Sequence, residues 1–282
     1  MIHILGYITW NVSPFIYEGE HFAIGWYGTL WTLGLLGMLI TLLVTFKHDG
    51  VPSQFALITF MVSLVCVIFF SHFFQGLFYE WYYSPDNPWY FLGIDWDYRN
   101  YYFDHPWKFL DIAHGGFASH GGITAIMLLS CLYSKYMDLP KWWLSDRLLL
   151  GVAFVGFLVR VGNFINGEIC GIPTSLPWGV LFADNQEPVH PTQVYEMLSY
   201  LMAASIGWRL YLKKNGGERN GLLSGVMLLI VFVFRIVIEF IKQPQMEIEQ
   251  SWTLNMGQWL SLPFVVGGIY LIIYSSGHHK KI

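Results

Sequence analysis

The chain has 282 residues, of which 55% are hydrophobic, 18% aromatic and 12% charged, and its formal net charge is −4. A soluble domain of this size would carry about twice that share of charged residues. The composition therefore excludes an ordinary soluble domain and predicts a polytopic α-helical membrane protein. The sequence has no nucleotide-binding glycine motif, and no nucleic-acid partner is expected.

Seven apolar stretches are long enough to cross a membrane, for which about twenty residues are needed. We expect an all-α protein with seven transmembrane helices, built as a single membrane domain over residues 1–282. The stretches cover approximately residues 23–46, 54–79, 119–137, 147–166, 190–212, 220–241 and 256–277. Polar groups interrupt the fourth and fifth stretches, so the outer ends of these two are the least certain boundaries.

The basic residues predict the orientation. With the N-terminus outside, ten of the fifteen Lys and Arg fall on inner loops and the tail, whereas Arg99, Lys108 and Lys242 lie on outer segments. Basic residues concentrate on the cytoplasmic side of membrane proteins. The sequence therefore predicts a multi-pass membrane protein with the N-terminus outside and the C-terminus inside. No signal peptide is expected, since the start of the chain has no basic region followed by a cleavage site.

Three segments are predicted to lie on the outer side. Residues 1–22 mix aromatic and polar side chains and are expected at the interface. Residues 80–118 are rich in Tyr, Trp, Asp and Pro, which is typical of an arm resting on the outer leaflet; a soluble aromatic loop domain is the alternative. Residues 167–190 contain three prolines, which argue against a helix and favour a small head loop. A protein partner could dock on the arm.

A motif from Arg160 to Gly171 ends the fourth apolar stretch with an arginine, two amides and a carboxylate. A cation at membrane depth is costly and usually functional. The spacing places Arg160, Asn163 and Asn166 near one helical face. A guanidinium beside amides suits a phosphodiester, although Glu168 or a carbonyl could instead hold Arg160 in a purely structural role.

Two other membrane-depth groups accompany this motif. His120, followed by Gly121 and Gly122, opens the third stretch and could accept a proton from a thiol or hydroxyl; a helix-capping or hydrogen-bonded interfacial histidine is the alternative. Arg235 and Glu239 are four residues apart and are expected to pair. That pair is either structural or opens for an anionic headgroup. Gln193 and Glu196 add polar groups on the same side.

The cysteines and histidines do not predict a metal site. Cys66, Cys131 and Cys170 show no metal-ligand spacing, and the first two lie in apolar runs typical of packing residues. Cys170 has no adjacent base, so a direct role is not expected. No cofactor or metal is expected for the chemistry.

From Trp26 onward the sequence resembles the bacterial prolipoprotein diacylglyceryl transferases. The most specific part is the motif Arg160–Glu168, followed by Pro173–Val180. Supporting matches, in the family's order, are Ala118–Gly122, His190–Glu196, Phe234–Phe240 and Asn255–Gln258.

The resemblance implies a seven-helix inner-membrane enzyme that moves the diacylglyceryl group of phosphatidylglycerol to the lipobox cysteine of a preprolipoprotein. The products are a thioether and glycerol phosphate. By this resemblance His120 corresponds to the base for the thiol, and Arg160 and Arg235 to the arginines that hold the phosphate. The expected substrate-binding residues are Tyr27, Gly121, Gly122, Asn163, Asn166, Glu168, Gly171 and Glu239.

Two positions depart from the family pattern. His72 stands in the second stretch where the family usually has arginine, and His114 replaces a familiar acidic residue. Exchanging Arg for His loses a permanent charge and a planar fork of donors. The changes are either a local rearrangement or an alteration of activity.

Three other functions compete with the transferase. A non-catalytic lipid-binding subunit on the same scaffold would be expected to lose Arg160, Arg235 or His120, and all three are present. A transporter or channel would need repeated halves or broken helices, which the sequence does not show. A haem or metal site at His72, His114 and His120 is disfavoured, because their spacing defines no common face.

Overall fold

Seven long helices form most of the protein, as seen in a computed structural model that describes residues 6–84, 86, 89–91, 94–96, 98–112, 116–213, 219–246, 249 and 252–277. The helices are α1 (Trp26–His48), α2 (Ser53–Phe78), α4 (Ser119–Tyr136), α5 (Trp143–Asn166), α6 (Thr192–Leu212), α7 (Leu222–Glu239) and α8 (Met256–Gly277). The helix α3 (Tyr101–Asp104) is a single turn.

Each predicted apolar stretch overlaps one of these helices, which confirms their order. The largest boundary difference is at α5, which begins at Trp143 rather than near residue 147. Its first turns include Ser145, Asp146 and Arg147, which interrupt the apolar pattern but are buried and bonded in the folded protein.

Five helices of the described chain, α1, α2, α5, α7 and α8, have the length and apolar composition needed to cross a membrane. The protein is therefore a multi-pass membrane protein. Helices α4 and α6 do not reach that composition, and both carry buried polar side chains. That all seven cross the membrane stays a prediction.

The helices pack around a central α5. It lies against α1 and α6, while α7 packs on α6 and α8, and α2 pairs with α4. Leu42, Trp143, Leu148 and Leu150 belong to the buried core. Gly151 lets α5 approach α1 closely, because a Cβ there would lie 3.0 Å from the Met38 Cα.

Short strands lie at one end of the bundle, so the protein is mainly helical rather than all-α. Parallel strands β1 (Ile8–Trp10) and β8 (Val180–Phe182) join the N-terminal segment to the loop after α5. Antiparallel pairs are formed by β2 (Phe15–Glu18) with β3 (Ala23–Gly25), β4 (Trp81–Tyr83) with β7 (Tyr98–Asn100), and β5 (Trp89–Phe91) with β6 (Ile94–Trp96). Strands of three or four residues are too short to produce an alternating pattern in the sequence.

The loop from 167 to 190 contains no helix, as its prolines predict. It packs as a small layer in which Cys170, Val180, Phe182 and Val189 are buried. Trp10 and Phe164 pack against this layer. The loop is therefore fixed both to the N-terminal segment and to the end of α5.

The opposite end of the bundle carries a second set of buried charges. Arg147 pairs with Asp49 at 2.7 Å and lies over the ring of Trp143. Tyr211 donates to Asp49 at 2.9 Å. Asp146 accepts the backbone N–H groups of Gly221 and Ser224, both at 2.8 Å, and so caps the start of α7. These contacts connect α1, α5, α6 and α7.

Candidate active site

The end of α5 turns sharply and brings an acidic group back over the last helical turn. Gly167 adopts a left-handed conformation at φ +68°, which ends the helix. The carboxylate of Glu168 then accepts hydrogen bonds from Asn163 at 3.2 Å and from Asn166 at 3.0 Å. The motif therefore forms one connected polar patch.

Arg160 lies one and a half turns before this end and is 8% exposed. Its Nη1 donates to Asn163 Oδ1 at 3.0 Å, which confirms that the two residues share a face. Its Nε lies 2.7 Å from Oε2 of Glu196, an ion pair that lacks the alignment of a hydrogen bond. The carboxylate that pairs with Arg160 is therefore on α6, rather than at Glu168.

Arg235 on α7 pairs with Glu239 one turn later, as the spacing predicts, with 3.3 Å between Nη2 and Oε1. Its Nη1 lies 3.8 Å from Oε1 of Glu196 and 3.4 Å from the Ser119 hydroxyl. Its Nε is buried and has no hydrogen-bond partner within the described chain. Arg235 is thus surrounded by long contacts and retains an unused donor.

Glu196 and Lys242 complete the cluster and were not among the predicted site residues. Glu196 lies between the two arginines and is 4% exposed. The Lys242 amine is 3.2 Å from Glu196 Oε1 and 3.3 Å from Glu239 Oε1. The sequence places Glu196 on the same side as the two arginines. For Lys242, the only indication in the sequence is its spacing of three residues from Glu239.

His120 is the second residue of α4 and is fully buried, not exposed at the interface. Its Nε2 lies 3.3 Å from the hydroxyl of Ser261 on α8, and that hydroxyl donates to the Gly257 carbonyl at 2.5 Å. The rings of Phe232 and Phe264 stack on each other beside the imidazole. Nδ1 is buried and has no partner among the described residues.

The three predicted substrate-binding glycines pack closely against other parts of the protein. A Cβ at Gly121 would lie 2.1 Å from the carbonyl oxygen of Phe70, and one at Gly122 would lie 3.0 Å from the Ser71 hydroxyl. Both glycines therefore face α2. A Cβ at Gly171 would lie 2.6 Å from the Ile241 carbonyl, so this glycine joins the loop to the segment after α7.

Tyr27 opens α1 on the side of Arg160. It is 37% exposed, and its backbone lies against Gly162 of α5, where a Cβ would be 3.1 Å from the Tyr27 Cα. Arg160 and Glu168 are both close enough to act electrostatically on its phenol. Tyr27 therefore borders the polar patch and remains accessible.

Cys170 is held as a thiol in the loop that follows the motif. Its Sγ donates to the Gly167 carbonyl at 3.1 Å and accepts from Gln193 at 3.3 Å. Burial raises the pKa of the thiol, and the hydrogen bond from Gln193 opposes that rise. A raised pKa lowers the thiolate fraction, so the environment does not activate this cysteine.

His72 anchors the outer arm. It is fully buried, and its Nε2 lies 2.9 Å from the carbonyl oxygen of Lys108. A carbonyl only accepts, so Nε2 donates and connects α2 to the 3₁₀ helix Pro106–Leu110 of the arm. Tyr102 packs edge-on against the imidazole. His114 lies outside the described residues.

The cluster offers two guanidiniums and an ammonium at one end of the bundle, and the imidazole of His120 follows Ser119, which contacts Arg235. Guanidiniums bind phosphate through paired N–H groups. Within the described residues, no three His, Cys, Asp or Glu side chains come together as a possible metal site. The absence of a cofactor from the chemistry stays a prediction.

The family profile described as prolipoprotein diacylglyceryl transferase matches residues 14–274. Proteins named phosphatidylglycerol–prolipoprotein diacylglyceryl transferase match nearly the whole chain. That of Chloroherpeton thalassium is 32% identical over 95% of this chain and 94% of its own. Those of Tolumonas auensis and Porphyromonas gingivalis are 33% and 34% identical over 95% of this chain, and cover 97% and 94% of their own. The chain therefore belongs to the prolipoprotein diacylglyceryl transferase family.

Proposed function

We propose that this enzyme transfers the diacylglyceryl group of phosphatidylglycerol to the lipobox cysteine of a preprolipoprotein, forming a thioether and releasing glycerol phosphate. Family membership supports the transferase activity. The observation that carries the site assignment is the pairing of Arg160 and Arg235 around Glu196, with the buried Nε of Arg235 lacking a partner in the described chain.

The phosphate of phosphatidylglycerol binds to Arg235, whose Nε is unused within the described chain, and to Arg160. A phosphodiester carries one negative charge and several acceptor oxygens, which suit the planar donor sets of two guanidiniums. When the bond to the glyceryl carbon breaks, the departing glycerol phosphate gains a second negative charge. Arginines fixed beside that oxygen stabilise the transition state more than the ground state.

The hydrogen bonds of His120 define which nitrogen acts as the base. The Ser261 hydroxyl has one proton and donates it to the Gly257 carbonyl. Towards Nε2 of His120 this hydroxyl can therefore only accept, so Nε2 carries the imidazole proton. Nδ1 keeps a free lone pair. We assign the removal of the thiol proton to Nδ1.

The reaction then balances without a cofactor. The cysteine S–H proton moves to His120 Nδ1, and the sulfur forms a bond to the glyceryl carbon. The C–O bond to phosphate breaks, and its electron pair remains on the phosphate oxygen. Five further residues are proposed to contact the lipid headgroup or to position the side chains that bind it: Tyr27, Asn163, Asn166, Glu168 and Glu239. For Gly121, Gly122 and Gly171, close backbone packing supports an indirect role.

The proposed setting is one membrane domain with seven spans in the bacterial inner membrane, N-terminus outside. The site then faces outward beneath the arm (residues 80–118) and the head loop (residues 167–190). Seven long helices that cross the membrane in alternating directions would give this arrangement. The distribution of basic residues supports it as well. Docking of a further protein on the arm stays a prediction.

Mass spectrometry of a lipobox-cysteine peptide tests the function. Purified protein with phosphatidylglycerol is expected to add a diacylglyceryl mass to the peptide, and Arg160→Ala is expected to lower the rate by at least about a hundredfold. Arg209→Ala is the matched control, since this arginine lies in the last turn of α6 at the opposite end of the bundle.

The outcome also separates the main alternative. A folded wild-type protein that binds phosphatidylglycerol but never modifies the peptide would identify a non-catalytic lipid-binding subunit. Equal rates for Arg160→Ala and Arg209→Ala would instead remove Arg160 from the phosphate site while leaving the transferase activity intact.

A further inference from the structure

The buried ammonium of Lys242 has no role in the reaction described above. Lys242 is 4% exposed and follows the end of α7 by three residues. Burying an ammonium is costly unless it is well paired. Neither solubility nor orientation in the membrane explains why a lysine is buried between Glu196 and Glu239.

The backbone around Lys242 is fixed by the loop that follows the Arg160 motif. The N–H of Ile172 donates to the Ile241 carbonyl at 2.9 Å, and the N–H of Gln243 donates to the Cys170 carbonyl at 3.2 Å. These bonds form a short antiparallel bridge between Gly171 and Lys242. The backbone on both sides of Lys242 is thus fixed, which suits a positioning role for its side chain.

Lys242 and Arg235 share the same carboxylate oxygens. Oε1 of Glu196 is 3.2 Å from the lysine amine and 3.8 Å from Arg235 Nη1. Oε1 of Glu239 is 3.3 Å from both cations. Neither carboxylate therefore forms a close two-pronged pair with Arg235, the arrangement in which arginine and carboxylate bind most strongly.

We propose that Lys242 is a positioning residue that restrains Glu196 and Glu239 and so keeps Arg235 available for the phosphate of the lipid. The inference rests on the proposed function, because it deepens the role of the same site. Without the ammonium, both carboxylates lose a counter-ion in a buried setting. They then close on Arg235 and compete directly with the phosphodiester.

The first experiment measures equilibrium binding of phosphatidylglycerol to the purified full-length protein in detergent. Lys242→Met, which keeps the length of the side chain without charge, is expected to weaken binding about tenfold or more. Lys242→Arg is expected to bind within about threefold of the wild type, since it retains a cation for both carboxylates. Lys135→Met, an exposed lysine on α4, is the matched control.

A second-site change separates positioning from a merely structural role. Glu239→Gln removes one competing charge but keeps an oxygen that can accept from Asn255, whose amide lies 2.9 Å from Glu239. In the Lys242→Met background it is expected to recover most of the lost affinity. If Lys242→Met does not fold, Lys242→Gln takes its place with the same expected loss and recovery.

Unchanged lipid affinity in folded Lys242→Met would overturn the inference, as would a loss that Glu239→Gln deepens. Measuring peptide modification on the same samples separates this result from the proposed function. Lipid binding that depends on Lys242, without any transfer by the wild type, would support the inference and overturn the transferase. Transfer at the same rate in the wild type and in the Lys242 variants would support the transferase and overturn the inference.

Discussion

His120 illustrates how a buried group can acquire a specific chemical state from its neighbours. The sequence predicts a histidine near the interface that could accept a proton from a thiol or hydroxyl. In the structure Ser261 engages Nε2, and aromatic rings of Phe232 and Phe264 lie beside the imidazole. Burial shields the proposed base from solvent when no substrate is bound.

His120→Gln tests this role of Nδ1. A glutamine amide can replace Nε2 as a donor to Ser261, but it supplies no base. The transfer rate is expected to fall about 10²–10⁴-fold, the usual contribution of general-base catalysis, and phosphatidylglycerol binding is expected to remain. Assays of transfer and of lipid binding on the same preparation check both expectations.

The serines of α8 provide the control for His120. Ser261→Ala is expected to lower the rate and to shift its pH dependence, because the imidazole loses the group that fixes its tautomer. Ser275, also buried on α8, donates only to the Ile272 carbonyl of its own helix, so Ser275→Ala is expected to leave the rate unchanged. Near-normal transfer by His120→Gln would contradict the role of His120 as the base and leave only its contact with Ser261.

Contacts within one helix could be predicted from the sequence, whereas contacts between helices could not. The steps from Arg160 to Asn163 and from Arg235 to Glu239 correspond to helical turns, and both pairs form. Glu196 joins those arginines across three helices. Its partners depend on how α5, α6 and α7 pack, and no local spacing contains that information.

At the scale of the elements, glycines set the distance between α2 and α4. Gly121 lies so close to α2 that a Cβ would enter the space of the Phe70 carbonyl oxygen. Small residues at helix interfaces allow such close approach in membrane proteins. This packing places the start of α4, and with it His120, against the core of the bundle.

Gly121→Ala is therefore expected to destabilise the protein by about 1–3 kcal/mol, the usual cost of overpacking. Gly267→Ala on α8 is the matched control, since a Cβ there meets nothing within 4 Å and alanine favours a helix. Thermal unfolding in detergent measures both. A melting temperature equal to that of the wild type in Gly121→Ala would show that α2 moves away without cost.

The short strands at the end of the bundle that carries the arm were the least predictable elements. The long helices follow from apolar length, and the loop after α5 follows from its prolines. Strand β1 pairs with β8, which is far away in sequence. The other strands pair with nearby segments, but each has only three or four residues. The use of His72 to hold the Lys108 carbonyl is likewise a tertiary contact, although the unusual histidine itself was visible in the sequence.

At the scale of the whole molecule, the two ends of the bundle hold buried charges for different purposes. At one end, Arg147 is enclosed by Asp49 and the rings of Trp143 and Tyr211. At the other, the contacts of Arg235 with Glu239, Glu196 and Ser119 are 3.3, 3.8 and 3.4 Å long. A satisfied cation stabilises the packing of several helices, and an under-coordinated one is suited to bind an anion. The molecule thus separates a structural end from a reactive end.

The orientation of these ends in the membrane can be measured with single cysteines. In a background with Cys66, Cys131 and Cys170 replaced by alanine, Glu20→Cys is expected to react with a membrane-impermeant maleimide on intact spheroplasts. Glu20 is exposed in the N-terminal segment on the side of the reactive end. Tyr136→Cys, 74% exposed at the end of α4, is expected to react only after the membrane is opened.

The basic residues predict this asymmetry, and it would place the phosphate site on the side where preprolipoproteins arrive after export. Labelling of Tyr136→Cys but not Glu20→Cys in intact spheroplasts would reverse the orientation and place Arg160 and Arg235 towards the cytoplasm.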